Sequence, residues 1–422
     1  MDINELGVRL KELRAARAKK LGRRKIPQRE VAEQLNVSPG AFGSWESGRT
    51  KPDVALLPRI ADYFEVSIDY LLGYTANVQT NREPNATNTG LVWSLRRQPQ
   101  TENEKRGVEI WCRIIEGEST AEIMAALKTP FRLEIERYLL DVIYTDMINI
   151  ELLPLDADLA EQVRQRFDLR ETIVIRVGSK STSLFRYILL GEAARCYFKE
   201  HVYEGMKIGI AGGYSISRLI YSLRRGECQN IEIYPLAVSP VVEATDVDTN
   251  SLVGALAYWH YGYNVRGYSL QYASPLDRQE TEDIQKFALT RRILAKAKSV
   301  DIAFLGLGTF RRRIVPNYWL GDLLESKGLS LDTMHQRGAV GDILYHFVNQ
   351  NGQPVASEIN NHICSIELKD LREMVRWRVP VVVIASGKRK VEIARATITG
   401  GYANVFIINN ELAEAMLESE AE

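Results

Sequence analysis

The rhythm of apolar positions along this 422-residue chain changes from one segment to the next. Up to about residue 74 the apolar residues recur every three or four positions. Leu6, Leu10 and Leu13 stripe one segment, Val31, Ala32 and Leu35 a second, Phe42 and Trp45 a third, and Leu56, Leu57, Ile60, Ala61 and Phe64 a fourth. That spacing buries one face of a helix, so short helices around a small core are expected. From Ala76 to Gly90 the run ANVQTNREPNATNTG is rich in Asn and Thr and cannot supply a core. Helical spacing resumes near Glu104. A helix ending at Gly117, a short helix capped by Ser119 and running to Ala126, a turn at Pro130, a long helix to about Ile143 and a strand-like run from Met147 to Leu153 follow.

Beyond Leu155 the pattern becomes one of short continuous Val/Ile runs: IVIRV (173–177), KIGIAGG (207–213), IEIYPLAV, DIAFLGLG, VPVVVIAS and NVFIIN. Helical stretches separate them, at Leu184 to Tyr203, Ser215 to Leu223 and about Arg278 to Lys298. Such runs predict a parallel sheet covered on both faces. The expected organisation is an all-α domain over 1–74, a linker over 75–103, a small helical module over 104–154 and an α/β domain over 155–422.

The segment Pro27 to Pro52 carries specific turn chemistry. Asn36 and Val37 make a tight turn, Ser38 is an N-cap, and Pro39 occupies the first helical position. Phe42 and Trp45 point into the core, leaving Ser38, Gly40, Ala41 and Ser44 outward. Gly48 ends the helix, and Arg49, Thr50 and Lys51 follow as donors at phosphate height. A second helix enters a major groove in this way, which makes these residues, together with Gln28, candidates for facing double-stranded DNA. Q-x-x-[VL]-A at Gln28, S-x-W-E-x-G around Glu46, Pro52 and the closing VSIDYLLGY, with Ser67 as its N-cap, resemble the Cro/repressor-type (XRE) helix-turn-helix domain.

Charge supports that reading locally. Lys plus Arg and Asp plus Glu both number 54, so the whole chain is not a polycation. Between Arg9 and Arg29, however, Arg9, Lys11, Arg14, Arg17, Lys19, Lys20, Arg23, Arg24, Lys25 and Arg29 face a single acid, Glu12. Phosphate neutralisation is the natural use of such a run beside a helix-turn-helix. Cys112, Cys196, Cys228 and Cys364 are scattered, which indicates neither a zinc site nor a disulfide framework. No apolar run is long enough for a bilayer and no signal-peptide pattern opens the chain, so a reduced, cytoplasmic protein without a membrane partner is expected.

The module over 104–154, with Glu118, Ser119, Glu122 and Ile123, resembles the winged helix-turn-helix of SorC/DeoR regulators. Its presumptive recognition helix, Phe131 to Asp141, sets Arg132 and Arg137 against Glu134, Glu136 and Asp141. Acids repel phosphate, so a degenerate module kept for packing or dimerisation is expected.

Three strand ends of the α/β domain carry glycine turns. Gly209-Ile-Ala-Gly-Gly-Tyr-Ser-Ile-Ser217 offers Gly212, Gly213, Tyr214, Ser215 and Ser217. LGLGTFRRR offers Gly308 and Arg311, and ASGKRK offers Lys390. Ligands of open α/β sheets bind beyond the carboxyl ends of strands, and amides at a helix N-terminus favour anions. Converging turns with adjacent cations point to an anionic small molecule. GAVGDILYHFVNQNGQPV (338–355), IELKDLREM and IASGKRKVEIARATITGGYANVFIINNELAEAML resemble the SorC-type sugar-binding domain, including its G-x-x-K motif at Gly387 to Lys390. The resemblance implies a Rossmann-like effector domain related to sugar-phosphate isomerases, a phosphorylated sugar held by the 212–217 loop and Lys390, and Asp342 at the pocket. Tyr214 is bulkier than the small G-x-T the family places there.

An isomerase or deaminase would need a positioned acid–base pair. The D-G-H of glucosamine-6-phosphate deaminase is replaced by Thr309-Phe310-Arg311 after Gly306-Leu307-Gly308. No M-D-E-Y element follows IEIYPLAVSP, and His260, His335, His346 and His362 are dispersed. The expected function is therefore a ligand-responsive, DNA-binding transcriptional regulator, with no catalytic residues, metal or cofactor, acting as a homodimer or homotetramer. A sugar-phosphate enzyme and a DNA-localised adaptor are the alternative readings.

Overall fold

In the computed structural model the chain divides into two compact units, Met1–Asn85 and Ala86–Glu422. The structure describes residues 3–418, except 21–22, 36, 54–55, 65, 67–90, 130, 146, 179–180, 239–246, 271–287, 310–323, 326, 356–358 and 360–362. Asn36, Pro130, the Ser67 cap with most of VSIDYLLGY, the 76–90 run, the first part of the Arg278–Lys298 helix, and Arg311 therefore lie outside the described residues.

The first unit contains helices α1 (Ile3–Lys20), α2 (Gln28–Gln34), α3 (Pro39–Glu46) and α4 (Leu57–Phe64). Their apolar stripes close on one core of Leu6, Leu10, Leu13, Val31, Ala32, Leu35, Phe42, Trp45, Ile60 and Phe64. The Ser38 side chain accepts from the Ala41 amide at 3.2 Å, which fixes where α3 starts. Gly48, at φ 71°, is in the left-handed region just past its end.

The second unit opens with strand β1 (Val92–Leu95), then α5 (Glu102–Ile115), α6 (Thr120–Ala126), α7 (Arg132–Tyr144) and β2 (Ile148–Leu152). β1 pairs antiparallel with β2, so part of the expected linker is a strand packed with the helical module over 104–154. The signal was short: Leu91, Trp93 and Leu95 alternate and pack against the core, next to a polar run that masked them. Thr101 and Glu104 form a capping box that starts α5, and Ser119 and Glu122 form another that starts α6.

The rest of the unit runs α8 (Ala157–Arg166), β3 (Glu171–Ile175), α9 (Ser183–His201), β4 (Lys207–Ile210), α10 (Tyr214–Ser222), β5 (Glu232–Pro235), β6 (Ala237–Val238), α11 (Thr249–Trp259), β7 (Arg266–Gly267), α12 (Ala288–Ala297) and β8 (Ile302–Leu305). Then come α13 (Leu331–Gln336), β9 (Ala339–Ile343), β10 (His346–Asn349), β11 (Cys364–Ser365), α14 (Leu368–Arg376), β12 (Val381–Ala385), α15 (Val391–Thr399), β13 (Val405–Asn409) and α16 (Asn410–Leu417). Seven strands form one sheet in the order β3-β13-β12-β8-β4-β5-β7, with parallel pairing throughout.

This sheet separates two cores, and strand alternation shows it directly. Phe304, Val382, Ile384, Val405 and Ile407 belong to the core shared with α9 and α10. Ala303, Leu305, Val381, Val383, Phe406 and Ile408 belong to the opposite one. Trp111 of α5, with Ile123, Ile135 and Leu139 of α6 and α7, lies in the first core. The segments over 104–154 and 155–422 thus share buried side chains, which explains why they form one compact unit.

Candidate functional site

In the first unit the outward side of α3 presents exposed Ser38 and Gly40 and half-buried Ala41 and Ser44. Arg49, Thr50 and Lys51 are exposed just beyond it. Glu46, on the same helix, is turned the other way and is 2% exposed. Its carboxylate accepts from Arg14 Nε at 2.7 Å and Nη2 at 3.0 Å, and from Gln28 Nε2 at 2.5 Å. Arg14 Nη1 also donates to the Ile26 carbonyl at 2.8 Å. The Glu of the S-x-W-E motif thus ties α1, α2 and α3 together. Gln28, expected to face DNA, has its amide group committed to this lock.

The basic run is partly neutralised inside the unit. Arg23 pairs with Glu30 at 2.5 Å, Arg29 with Glu33 at 2.9 Å, and the Arg17 guanidinium lies 4.5 Å from the Tyr63 ring centroid. Lys11, Lys19, Arg24 and Lys25 remain exposed.

In the second unit the three glycine turns follow β4, β8 and β12, which are consecutive neighbours in the parallel sheet. Their carboxyl ends therefore lie side by side. The chain runs outward from β4 through β5 to β7, and from β8 through β12 to β13 in the opposite direction. The topological switch falls between β4 and β8, where open α/β sheets leave a ligand crevice.

At the first turn Gly213 sits at φ 112° and caps α10. Its amide donates to the Val247 carbonyl at 2.8 Å, so it is already engaged. Ser217 is fully buried, and its hydroxyl donates to the Tyr214 carbonyl at 2.9 Å. Ser217 stabilises the helix turn and does not face the crevice. Ser215 stands opposite the second turn: a Cβ built on Gly306 would meet the Ser215 Cβ at 4.0 Å. The Tyr214 ring is held edge-on to Tyr187, centroids 4.8 Å apart, with the Arg218 guanidinium 4.4 Å from its centroid. The bulk that departs from the family pattern is thereby absorbed in the packing of α10 on α9.

At the second turn Gly308 bridges Asp342 of β9, amide to carbonyl at 2.9 Å in one direction and 3.2 Å in the other. The Asp342 carboxylate lies over the glycine: a Cβ there would approach Asp342 Oδ1 to 2.0 Å. At the third turn Gly387, φ 90°, donates its amide to Asn409 Oδ1 at 2.9 Å, and Lys390 is half-buried at the start of α15. A Cβ on Gly341, beside Asp342, would meet Ile393 of α15 at 2.9 Å, which brings the second and third turns together.

Two residues the sequence reading passed over join this edge. Asp248 caps α11 and Thr249 begins it, and Thr249 Oγ1 would lie 2.8 Å from a Cβ on Gly212. Asp248 Oδ1 and Thr249 Oγ1 are both buried without a hydrogen-bond partner. Buried polar atoms are normally satisfied, so orphans beside a glycine turn mark a place where a ligand's polar groups complete the set. Only the D-T-N cap pattern was visible in sequence, and it reads as an ordinary helix start.

A helix-turn-helix unit in one chain with an α/β unit that gathers three glycine turns at a switch point defines a class: DNA-binding transcriptional regulators with an effector domain. Residues 154–418 match the family model described as "Putative sugar-binding domain", and residues 13–71 match that of a helix-turn-helix. The chain belongs to this sugar-binding-domain family, whose members here are SorC/DeoR-type regulators and not enzymes.

It is 21% identical over 327 residues to the transcriptional regulator YjhU of Escherichia coli (strain K12), covering 74% of this chain and 93% of that one. It is 26% identical over 222 residues to the deoxyribonucleoside regulator of Bacillus subtilis (strain 168), covering 52% and 67%. The solved structure of the full-length sorbitol operon regulator SorC from Klebsiella pneumoniae superposes with a TM-score of 0.53 at 21% identity, over 75% of this chain and all of that one. Among the described residues no helix is long and apolar enough to cross a membrane, and no cluster could hold a metal ion.

Proposed function

We propose that the chain is a cytoplasmic regulator whose effector is a phosphorylated sugar bound at the carboxyl ends of β4, β8 and β12. The reading rests on one observation above all, the meeting of three glycine turns at the switch between β4 and β8. The phosphate sits between the Ser215 amide and hydroxyl and the Lys390 ammonium. Gly212, Gly213 and Gly308 let the backbone approach, and Asp342, Asp248 and Thr249 take the sugar hydroxyls. In the first unit, α3 enters the major groove of operator DNA with Arg49, Thr50 and Lys51 on phosphates. Its outward residues, Ser38, Gly40, Ala41 and Ser44, include no Arg, Asn or Gln for bidentate base contact. Selectivity then comes largely from DNA shape and from half-site spacing in a homodimer or homotetramer. The winged module, with acids on its third helix, serves packing instead of DNA reading.

A thermal-shift panel of phosphosugars on the full chain tests the effector. A true ligand at about a hundred times its Kd stabilises by about 2.7 kcal/mol. Lys390→Ala should abolish that shift while leaving apo stability and operator binding intact. A full shift in the variant places the phosphate elsewhere.

A further inference from the structure

The C-terminal end of α10, remote from the glycine turn, borders a cavity of about 530 Å³. That size lies in the range of about 300–1,000 Å³ typical of small-molecule sites. Two modules line this open cleft: Ile143 and Ile148 come from the segment over 104–154, and Tyr221 and Arg225 from α10 and the turn after it. Trp259 and Tyr261 close it from the end of α11.

The wall is aromatic to an unusual degree. Tyr221 and Trp259 meet edge-on at 6.5 Å and 68°, while Tyr258 and Tyr261 are 79% and 81% exposed. Glu192 of α9 also lines the cavity and is buried. Its Oε2 accepts from Arg195 Nε at 2.8 Å. Arg225 is exposed at the rim. None of these residues belongs to the sugar-phosphate site.

We infer that this cavity is a second small-molecule site, built for a nucleotide. A flat base stacks on the ring of Trp259, 44% exposed and braced edge-on by Tyr221. A base N–H donates to the Glu192 carboxylate, and the phosphate pairs with the Arg225 guanidinium, a charge-assisted contact. A plain phosphosugar would leave the aromatic wall without a partner. The site also has a physical route to the rest of the unit, because α10 carries Tyr214 and Ser215 at one end and the cavity at the other. Occupancy of either end is then linked to affinity at the other by the same factor.

The test uses the full chain and adenosine, guanosine, cytidine and uridine 5′-monophosphates, followed by calorimetry and tryptophan fluorescence. At least one nucleotide should bind saturably and quench Trp259. Trp259→Leu should remove the quench, and exposed Arg225→Ala should weaken binding by about tenfold. Lys390→Ala should leave nucleotide binding unchanged. The inference is overturned if no monophosphate binds at millimolar concentration, or if binding survives both cavity variants intact. It is also overturned if Lys390→Ala abolishes nucleotide binding, which would move the nucleotide to the strand-end site. Dissociation of an oligomer on Trp259→Leu, with no nucleotide bound by the parent protein, would assign the aromatic face to a subunit contact instead.

Discussion

Trp111 of α5 stands edge-on to Phe185 of α9, ring centroids 5.5 Å apart and planes at 64°. Trp93 of β1 meets Trp111 in the same way at 5.8 Å and 78°. A helical module whose Trp111 is fully buried against the effector helices is part of their core. Trp111→Ala should destabilise the second unit by about 3–5 kcal/mol, the usual cost of removing a large buried aromatic. The Trp111 indole nitrogen has no hydrogen-bond partner, so Trp111→Phe removes an unsatisfied donor and should cost much less. Urea unfolding of the two variants checks the ordering, and equal losses would mean that ring packing is not what holds the module.

DNA affinity should reside in the first unit. Replacing Arg49 and Lys51, both exposed beyond α3, by Ala leaves two phosphates without their cations. The slope of log K against log salt should then fall by about 1.8, roughly 0.9 for each phosphate no longer neutralised. Binding should weaken for specific and random DNA alike. An unchanged slope in titrations between low and moderate salt would remove these residues from the interface.

Much of this arrangement was legible in residue order. The caps at Ser38 and Ser119 and the strands ending at Ile210, Leu305 and Ala385 follow from local spacing and cap chemistry, which act over a few residues. The crevice was legible as three separate turns, but their adjacency depends on strand order, a long-range property that no local pattern carries. Side-chain direction was less accessible still. Ser217 looked like a ligand donor and instead bonds the Tyr214 carbonyl, while Gln28, a candidate for facing DNA, bonds Glu46. In both cases the partner or the burial that decides the matter is set by packing. Asp248 and Thr249 went unnoticed because only tertiary structure leaves their oxygens orphaned.

Acid should loosen the second unit through His260. The ring is buried, and its Nδ1 accepts from the Gly226 amide at 3.3 Å, which requires the neutral form. Burial lowers its pKa from 6.5, with Glu227 opposing and Arg225 assisting. Below the ordinary value the unfolded chain takes up a proton that the folded chain refuses. The contribution is therefore complete above 6.5 and is lost as pH falls toward the depressed folded value. Melting temperature measured across that window should drop more steeply in the parent than in His260→Gln. Identical pH profiles would show that His260 does not govern the acid limb.

Gly306 and Gly308 lie two residues apart in one turn, and alanine should separate their roles. At Gly306 the nearest atom to an added Cβ is Ser215 Cβ at 4.0 Å, so Gly306→Ala meets only ordinary contact. At Gly308 the same Cβ would come within 2.0 Å of Asp342 Oδ1 and 2.4 Å of its Cγ. The carboxylate must move, and it has little room, because Asp342 is buried and its backbone is bridged to Gly308 itself. Overpacking of this kind costs about 1–3 kcal/mol, which a domain of this size can tolerate. The larger effect should fall on effector response, since the displaced group is the one placed to take a sugar hydroxyl. Gly308→Ala should therefore lose phosphosugar stabilisation while operator binding stays at the parent level, and Gly306→Ala should retain both. A full effector response in Gly308→Ala, measured by the same thermal shift, would show that the position of Asp342 is not critical and that the hydroxyl contacts come from Asp248 and Thr249 on the other side of the crevice.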